Sequence, residues 1–431
     1  MADISCILYP PTLDYYYLVQ RPQQLMQSFA RLGITSFYLN NPSPQSQAVR
    51  GIDNVMPNLY LFNNVNPEPY LKKVRPVVYY TSAAQADLIW RYNPSLVIFD
   101  SVDEPSDEFA PWLPYYEKAV KTADIVLTTS DKLYSKAREI NPSTYLIPNG
   151  CDFEHFSRTD LPVPQDIAGI PRPIIGYIGV IASWLDLELI EKLANAFPKC
   201  NIVMLGPLYN VTQVPERPNI HWLGYKDYND LPAYAQMFDV GIVPFKVTGM
   251  VEAVNPIKMW EYMAVGMPIV SVSIPEAEKY PELVYTAANH EEFIENVIKA
   301  LNENDLEKRS RRLLTARENS WILRAQEIIN IVEAKLAMKN VDLKTGEDEL
   351  NSAVLNEEMI KAPPHNENYF TGAVYELTGA FSKFKVGRRL AIDLRSLKHI
   401  FKGKRKTGFK VSDIKINIIS CPSFCFKTGR G

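Results

Sequence analysis

Lys258 and Glu261 stand three residues apart in the stretch NPIKMWEYMAVGMPIV, Asn255 to Val270, whose other positions are mostly apolar. Asn255 is a good N-cap, Pro256 suits the first helical position, and Gly266 followed by Pro268 closes a helix before the strand PIVSVS. Lys258 then falls in the first turn, where the helix dipole prefers negative charge, so a lysine is well placed there only beside an anion. Capture of an anionic ligand is the chemistry this pair offers. A solvated i,i+3 pair, worth roughly 0.2 to 0.5 kcal/mol, is the plainer reading.

What the helix faces depends on the elements around it. Short β-branched or aromatic runs, ISCILY, ITSFYLN, PVVYYT, SLVIFD, DIVLTT and TYLIPN, alternate with helical stretches. After the turn NGCDFEHF a second series follows: RPIIGYIG, NIVMLG, NIHWLG, VGIVPF, MPIVSVS and LVYTA, with helices expected at 186–197, 230–237, 255–265 and 289–301. This alternation predicts parallel sheets wrapped by helices. The fold class is therefore α/β, with two Rossmann-like doubly wound domains facing a cleft, at 1–160 and 161–338, joined near 149–172 where Asn149, Gly150 and several prolines mark a connection. Residues 304–338, with Trp321, read as a long amphipathic helical region that either continues the second domain or packs back across the first. Beyond it, 339–382 reads as an acidic and polar linker and 383–431 as a basic tail.

Ligands of open α/β sheets bind beyond the carboxyl ends of the strands. The second-domain residues there are Gly179, Gly206, Gly224, Tyr225, Pro244, Phe245 and the start of the Asn255 helix. Glycine lets a backbone approach a ligand closely, and a helix N-terminus offers free N–H groups to phosphate. A dinucleotide fingerprint and a Walker loop are both absent.

Composition narrows the partners. The net charge of −3 gives no footprint for nucleic acid, yet 383–410 holds eleven Lys or Arg against the single acid Asp393. There, Leu390, Leu394, Leu397 and Phe401 line one helical face with basic residues largely off it. An anionic membrane surface is one partner for this segment, and docking on the acidic main body is the other. Five scattered cysteines indicate neither a disulfide framework nor a zinc site, and His155 and His221 lack metal-spaced partners. With no signal-peptide pattern and no stretch of ~20 apolar residues, a cytoplasmic location is expected.

The blocks STYLIPNGCDFEHF, NIHWLGYKDYNDLPAYAQMFDVGIVPF and NPIKMWEYMAVGMPIV, in this order and spacing, resemble the second-domain signatures of GT-B glycosyltransferases of the large retaining, nucleotide-sugar-dependent group. QRPQQLMQSFARLG and GVIASWLDLELIEKLANAFP resemble more narrowly the bacterial enzymes of teichuronic acid and other surface-polysaccharide synthesis. The resemblance covers roughly residues 5–338. It implies transfer of a sugar from a nucleotide diphosphate donor, UDP-linked as the first choice, to a glycan or lipid-linked acceptor at the inner face of the plasma membrane. The nucleotide sugar is a substrate, and no cofactor or metal is implied. Glu261 matches the glutamate that holds the ribose hydroxyls, Lys258 and the N–H groups around Asn255 would face the diphosphate, and Gly179 and Tyr225 would also border the donor.

Departures from the pattern are equally specific. Ala253 stands where many relatives carry a second glutamate, with Glu252 adjacent, and GVIASWLDLELIEK replaces an arginine and lysine that neutralise the diphosphate. The first 150 residues contain no histidine, so Asp100 and Asp103 in VIFDSVDEPSDEF, expected at a strand end facing the cleft, become the catalytic candidates. Arg21, at the start of the first helix, is the candidate contact for an anionic acceptor or phosphate. Two other functions fit the same architecture: a non-catalytic GT-B binding protein, which binds nucleotide without turnover, and a nucleotide-sugar epimerase, which needs no acceptor.

Overall fold

The computed structural model of the chain describes residues 4–355 apart from 45, 47, 72 and 73. Its first sheet contains β1 (Ile7–Tyr9), β2 (Ser36–Asn40), β3 (Gly51–Met56), β4 (Leu59–Asn63), β5 (Val77–Tyr80), β6 (Leu96–Ser101), β7 (Ile125–Thr128) and β8 (Thr144–Leu146). They lie in the order β3-β4-β2-β1-β5-β6-β7-β8, parallel throughout except for the antiparallel edge pair β3/β4. That hairpin was not among the predicted runs. Its outer strand carries Asp53 and Asn54 toward solvent, so it lacks the continuous apolar signal of a strand buried on both faces.

The second sheet holds β9 (Ile174–Ile178), β10 (Asn201–Leu205), β11 (Ile220–Gly224), β12 (Val240–Val243), β13 (Ile269–Val272) and β14 (Val284–Ala287), all parallel, in the order β11-β10-β9-β12-β13-β14. The order reverses between β9 and β12, which opens a crevice at the carboxyl ends of those two strands. Among the flanking helices are α1 (Arg21–Arg31), α2 (Leu113–Thr122) and α3 (Asp131–Ile140) of the first domain, and α4 (Leu187–Ala196), α5 (Ile257–Val265), α6 (His290–Leu301) and α7 (Leu306–Glu318) of the second. The two doubly wound α/β domains expected from the sequence are thus present.

Helix α5 starts later than its sequence suggests. Pro256, with φ −71° and ψ 117°, is the N-cap residue, and no side chain caps the helix. The Asn255 side chain is taken instead by Trp260, whose indole N–H donates to Asn255 Oδ1 at 2.9 Å. A fully buried indole must find an acceptor, and that need outranks the cap. The other end is as expected. Gly266 adopts φ +81° and its N–H reaches the carbonyls of Tyr262 and Met263.

After α7 the chain returns to the first domain. Ser320 bridges to Cys151, the Trp321 N–H donates to the Cys151 carbonyl at 3.0 Å, and α8 (Trp321–Leu355) begins. A Cβ on Gly150 would lie 2.3 Å from the Asn319 carbonyl oxygen, so glycine is required at this crossing. Trp321, Ala325, Ile328, Ile329, Val332 and Leu336 then join the same core as Ile7, Tyr9, Leu25 and Ile98. Of the two alternatives for this region, which was placed within 161–338, the second holds: its last helix packs back on the first domain, and it runs to Leu355, into the expected linker. Residues 356–431, including the basic segment 383–410, lie outside the described residues.

Candidate functional site

Lys258 and Glu261 sit in the opening turns of α5, beside the carboxyl end of β9. The Lys258 ammonium is held between two rings, 5.2 Å from the centroid of Tyr177 and 4.8 Å from that of Phe245. Its stem lies against Gly179, where a Cβ would approach Lys258 Cε to 2.9 Å and where φ is +148°. No described residue gives this ammonium an ion pair or a hydrogen bond. Burial pulls its pKa down to about 8, with the Glu261 charge pulling the other way. Glu261 is 7 % exposed, and none of the described residues donates a hydrogen bond to its carboxylate. Burial pushes its pKa up to about 7, opposed by Lys258. An ammonium without an anion and a carboxylate without donors together make a site that a ligand carrying both phosphate and hydroxyl groups would complete.

The first-domain candidates divide. Asp100 is fully buried and does not face the cleft as a free carboxylate: Arg21 Nε donates to its Oδ2 at 2.6 Å and Tyr79 donates its hydroxyl to the same atom at 2.7 Å. Arg21, only 2 % exposed, also donates through Nη1 to the Pro148 carbonyl and to Asn149 Oδ1, both at 3.2 Å. Both side chains are buried and engaged with each other, although Arg21 Nη2 and Asp100 Oδ1 have no hydrogen-bond partner among the described residues. Asp103 is different. It is partly buried, accepts no hydrogen bond from the described residues, and its pKa is pushed up to about 7, first by burial and then by the Asp100 charge. Such a carboxyl is half-ionised near neutral pH and suited to accept a proton.

Residues from both domains close the rim. Glu252 binds Lys132 of α3 at 3.0 Å, while Lys132 also donates to the Gly249 carbonyl at 2.9 Å. Ala253, 1 % exposed, offers no polar group in its place. The Met250 N–H donates to Asp107 Oδ2 at 3.2 Å, and Ser183 donates to Glu108 Oε1 at 2.5 Å. Tyr225 stacks on Tyr17 of the β1–α1 loop, with centroids 4.9 Å apart and planes at 30°. Tyr17 and Asn149 were not singled out as site residues in the sequence. Their roles come from partners more than 100 positions away, for which a single chain carries no local signal.

The histidines among the described residues are occupied structurally. His155 lies flat on Tyr228 at 4.7 Å, His221 meets Asn201 Oδ1 at 2.8 Å, and His290 joins Asp186, the N-cap of α4, at 2.8 Å. Among the described residues, no group of three or more His, Cys, Asp or Glu is placed to hold a metal, and no helix is long and apolar enough to cross a membrane.

Residues 172–303 match the family model "Glycosyl transferases group 1". Over 220 residues the chain is 28% identical to TuaH of Bacillus subtilis (strain 168), whose name assigns it to teichuronic acid biosynthesis as a glycosyltransferase. The match covers 47% of this chain and 55% of TuaH, so the chain spans about half the length of that relative. Among solved structures, sucrose-phosphate synthase from Thermosynechococcus elongatus superposes with a TM-score of 0.58 at 14% identity, over 77% of this chain and 100% of the other. Anabaena Alr3699/HepE in complex with UDP and glucose gives 0.56 at 14% identity, over 77% and 99%. The architecture is the GT-B glycosyltransferase fold.

Proposed function

From a GT-B fold whose residues 172–303 match the group 1 glycosyl transferases, we propose that this chain is a glycosyltransferase acting on a nucleotide diphosphate sugar, UDP-linked as the first choice. The acceptor is a bacterial cell-surface polysaccharide or a lipid-linked precursor of one, the anomeric configuration is retained, and the reaction takes place at the cytoplasmic face of the membrane. One observation carries this reading: Lys258 and Glu261 lie together in α5, both desolvated and neither with an ion pair or hydrogen bond from the described residues. The name of TuaH and the UDP and glucose bound to HepE support the choice of substrates.

The chemistry follows from the side chains. The glycosidic bond between C1 and the diphosphate oxygen breaks with its electron pair going to that oxygen. Lys258 and the free N–H groups at the start of α5 stabilise the charge that develops there. Glu261 accepts hydrogen bonds from the ribose hydroxyls and fixes the nucleotide. The acceptor hydroxyl forms the new bond at C1, and Asp103 takes its proton. Neither a resident metal nor a cofactor enters the scheme.

The test is calorimetric binding across UDP-, GDP- and TDP-sugars, followed by transfer to membrane extracts. Binding with acceptor-dependent release of nucleotide supports the assignment. Binding without turnover points to a non-catalytic protein, and an isomerised donor without acceptor points to an epimerase.

A further inference from the structure

A buried chain of hydrogen bonds joins the first domain to the start of α5. Asp100 binds Arg21, Arg21 Nη1 donates to Asn149 Oδ1, and Asn149 Nδ2 donates to the Asn255 carbonyl at 2.7 Å. Asn255 Oδ1 in turn accepts from Trp260 of α5. All four of Arg21, Asp100, Asn149 and Asn255 are at most 8 % exposed. Asn149 lies where the chain crosses between domains, next to the glycine packed on Asn319.

The chemistry of the middle link is restrictive. It must accept from a guanidinium on one side and donate to a backbone carbonyl on the other, from one short side chain. Aspartate can do only the first, an aliphatic residue neither, and glutamine is longer. The network is also unsaturated, since Arg21 Nη2, Asp100 Oδ1 and Asn255 Nδ2 have no hydrogen-bond partner among the described residues. A buried polar cluster left incomplete is poor value as pure stabilisation, which an apolar core supplies better. Its geometry gives it another use.

We infer that Asn149, anchored by the Arg21–Asp100 pair, is a positioning residue that fixes the start of α5, and with it Lys258 and Glu261, against the first domain. The consequence for catalysis rests on the donor-site reading above, but the structural link does not.

Hydrogen–deuterium exchange on the full chain tests the link. Asn149→Asp keeps the acceptor facing Arg21 and loses the donor facing Asn255. It should speed exchange of the 257–263 amides about tenfold, with UDP affinity falling by a similar factor. Arg21→Lys, which does not touch α5, should accelerate the same amides by transmission. Unchanged exchange at 257–263 in both variants, or a rise spread over β1 and β6, overturns the inference. Glu261→Ala tests the donor reading separately: with Asn149 intact it should lower UDP affinity, and intact affinity would reject the donor site without touching the link.

Discussion

Two pairs of opposite charge sit at the carboxyl edges of the two sheets, and they are built differently. Arg21 and Asp100 have closed on each other at 2.6 Å, with Tyr79 adding a second donor. Lys258 and Glu261 have not: the ammonium rests between aromatic rings, the carboxylate accepts nothing from the described residues, and burial drives each toward its neutral form. A buried charge without a partner destabilises the empty protein, and it is tolerable where a ligand supplies the missing half. The first pair holds structure and the second is open to chemistry.

The largest effect that could break this comparison is on stability. Asp100→Ala strands the Arg21 guanidinium in the core, and loss of one member of a buried pair costs about 3–5 kcal/mol. Urea denaturation should show a strongly lowered midpoint. Next in size is Glu261→Ala. It should leave the urea midpoint in place or raise it, while turnover at limiting donor falls about 100-fold through loss of charge-assisted hydrogen bonds. If Glu261→Ala unfolds the protein and Asp100→Ala does not, the roles of the two pairs are reversed.

The sequence showed much of the scaffold and only part of this contrast. Ile174, Ile175, Tyr177 and Ile178 are buried on both faces of a parallel sheet, so the run is apolar end to end and easily recognised. The β3/β4 edge hairpin has no such run. Asn255 looked like a cap because propensity sees only neighbours, whereas a tryptophan five residues on claims its side chain. Asp100 and Asp103 looked equivalent because the arginine that separates them lies 79 positions from Asp100. Likewise the partner of Glu252, the residue next to Ala253, is Lys132 of the other domain, which its sequence neighbours do not reveal.

A smaller effect concerns pH, and its sign differs for the two members of the open pair. Glu261 rises from the usual 4.5 to about 7 on folding, so the stability it contributes below pH 4.5 is lost as pH rises through 7. Lys258 falls from 10.5 to about 8, so the stability it contributes above pH 10.5 is lost as pH falls through 8. Between pH 7 and 8 the empty protein carries both charges at a cost, and a nucleotide diphosphate relieves both. UDP affinity should therefore peak in this window, falling on the acid side as Glu261 protonates and on the alkaline side as Lys258 loses its proton. Glu261→Gln should flatten the acid limb and raise the stability of the ligand-free protein at pH 8 by about 1–3 kcal/mol. Titrations from pH 6 to 9.5, paired with urea melts, check both signs.

The smallest effect separates the open pair from the rim around it. Tyr17 reaches from the first domain to stack on Tyr225, and an aromatic pair of this geometry is worth about 0.5–1.5 kcal/mol. The rim ion pair of Lys132 with Glu252 is more exposed, with side chains 42 % and 55 % accessible, and contributes at most about 1 kcal/mol. Neither contact touches Lys258 or Glu261. If the rim serves only to hold the domains together, Tyr17→Ala should change UDP affinity by a few-fold at most and leave the pH window unmoved. A shift of that window in Tyr17→Ala, read in the same titrations, would mean that Tyr17 shapes the dielectric around α5. The boundary between scaffold and donor site would then have to be redrawn to include the β1–α1 loop.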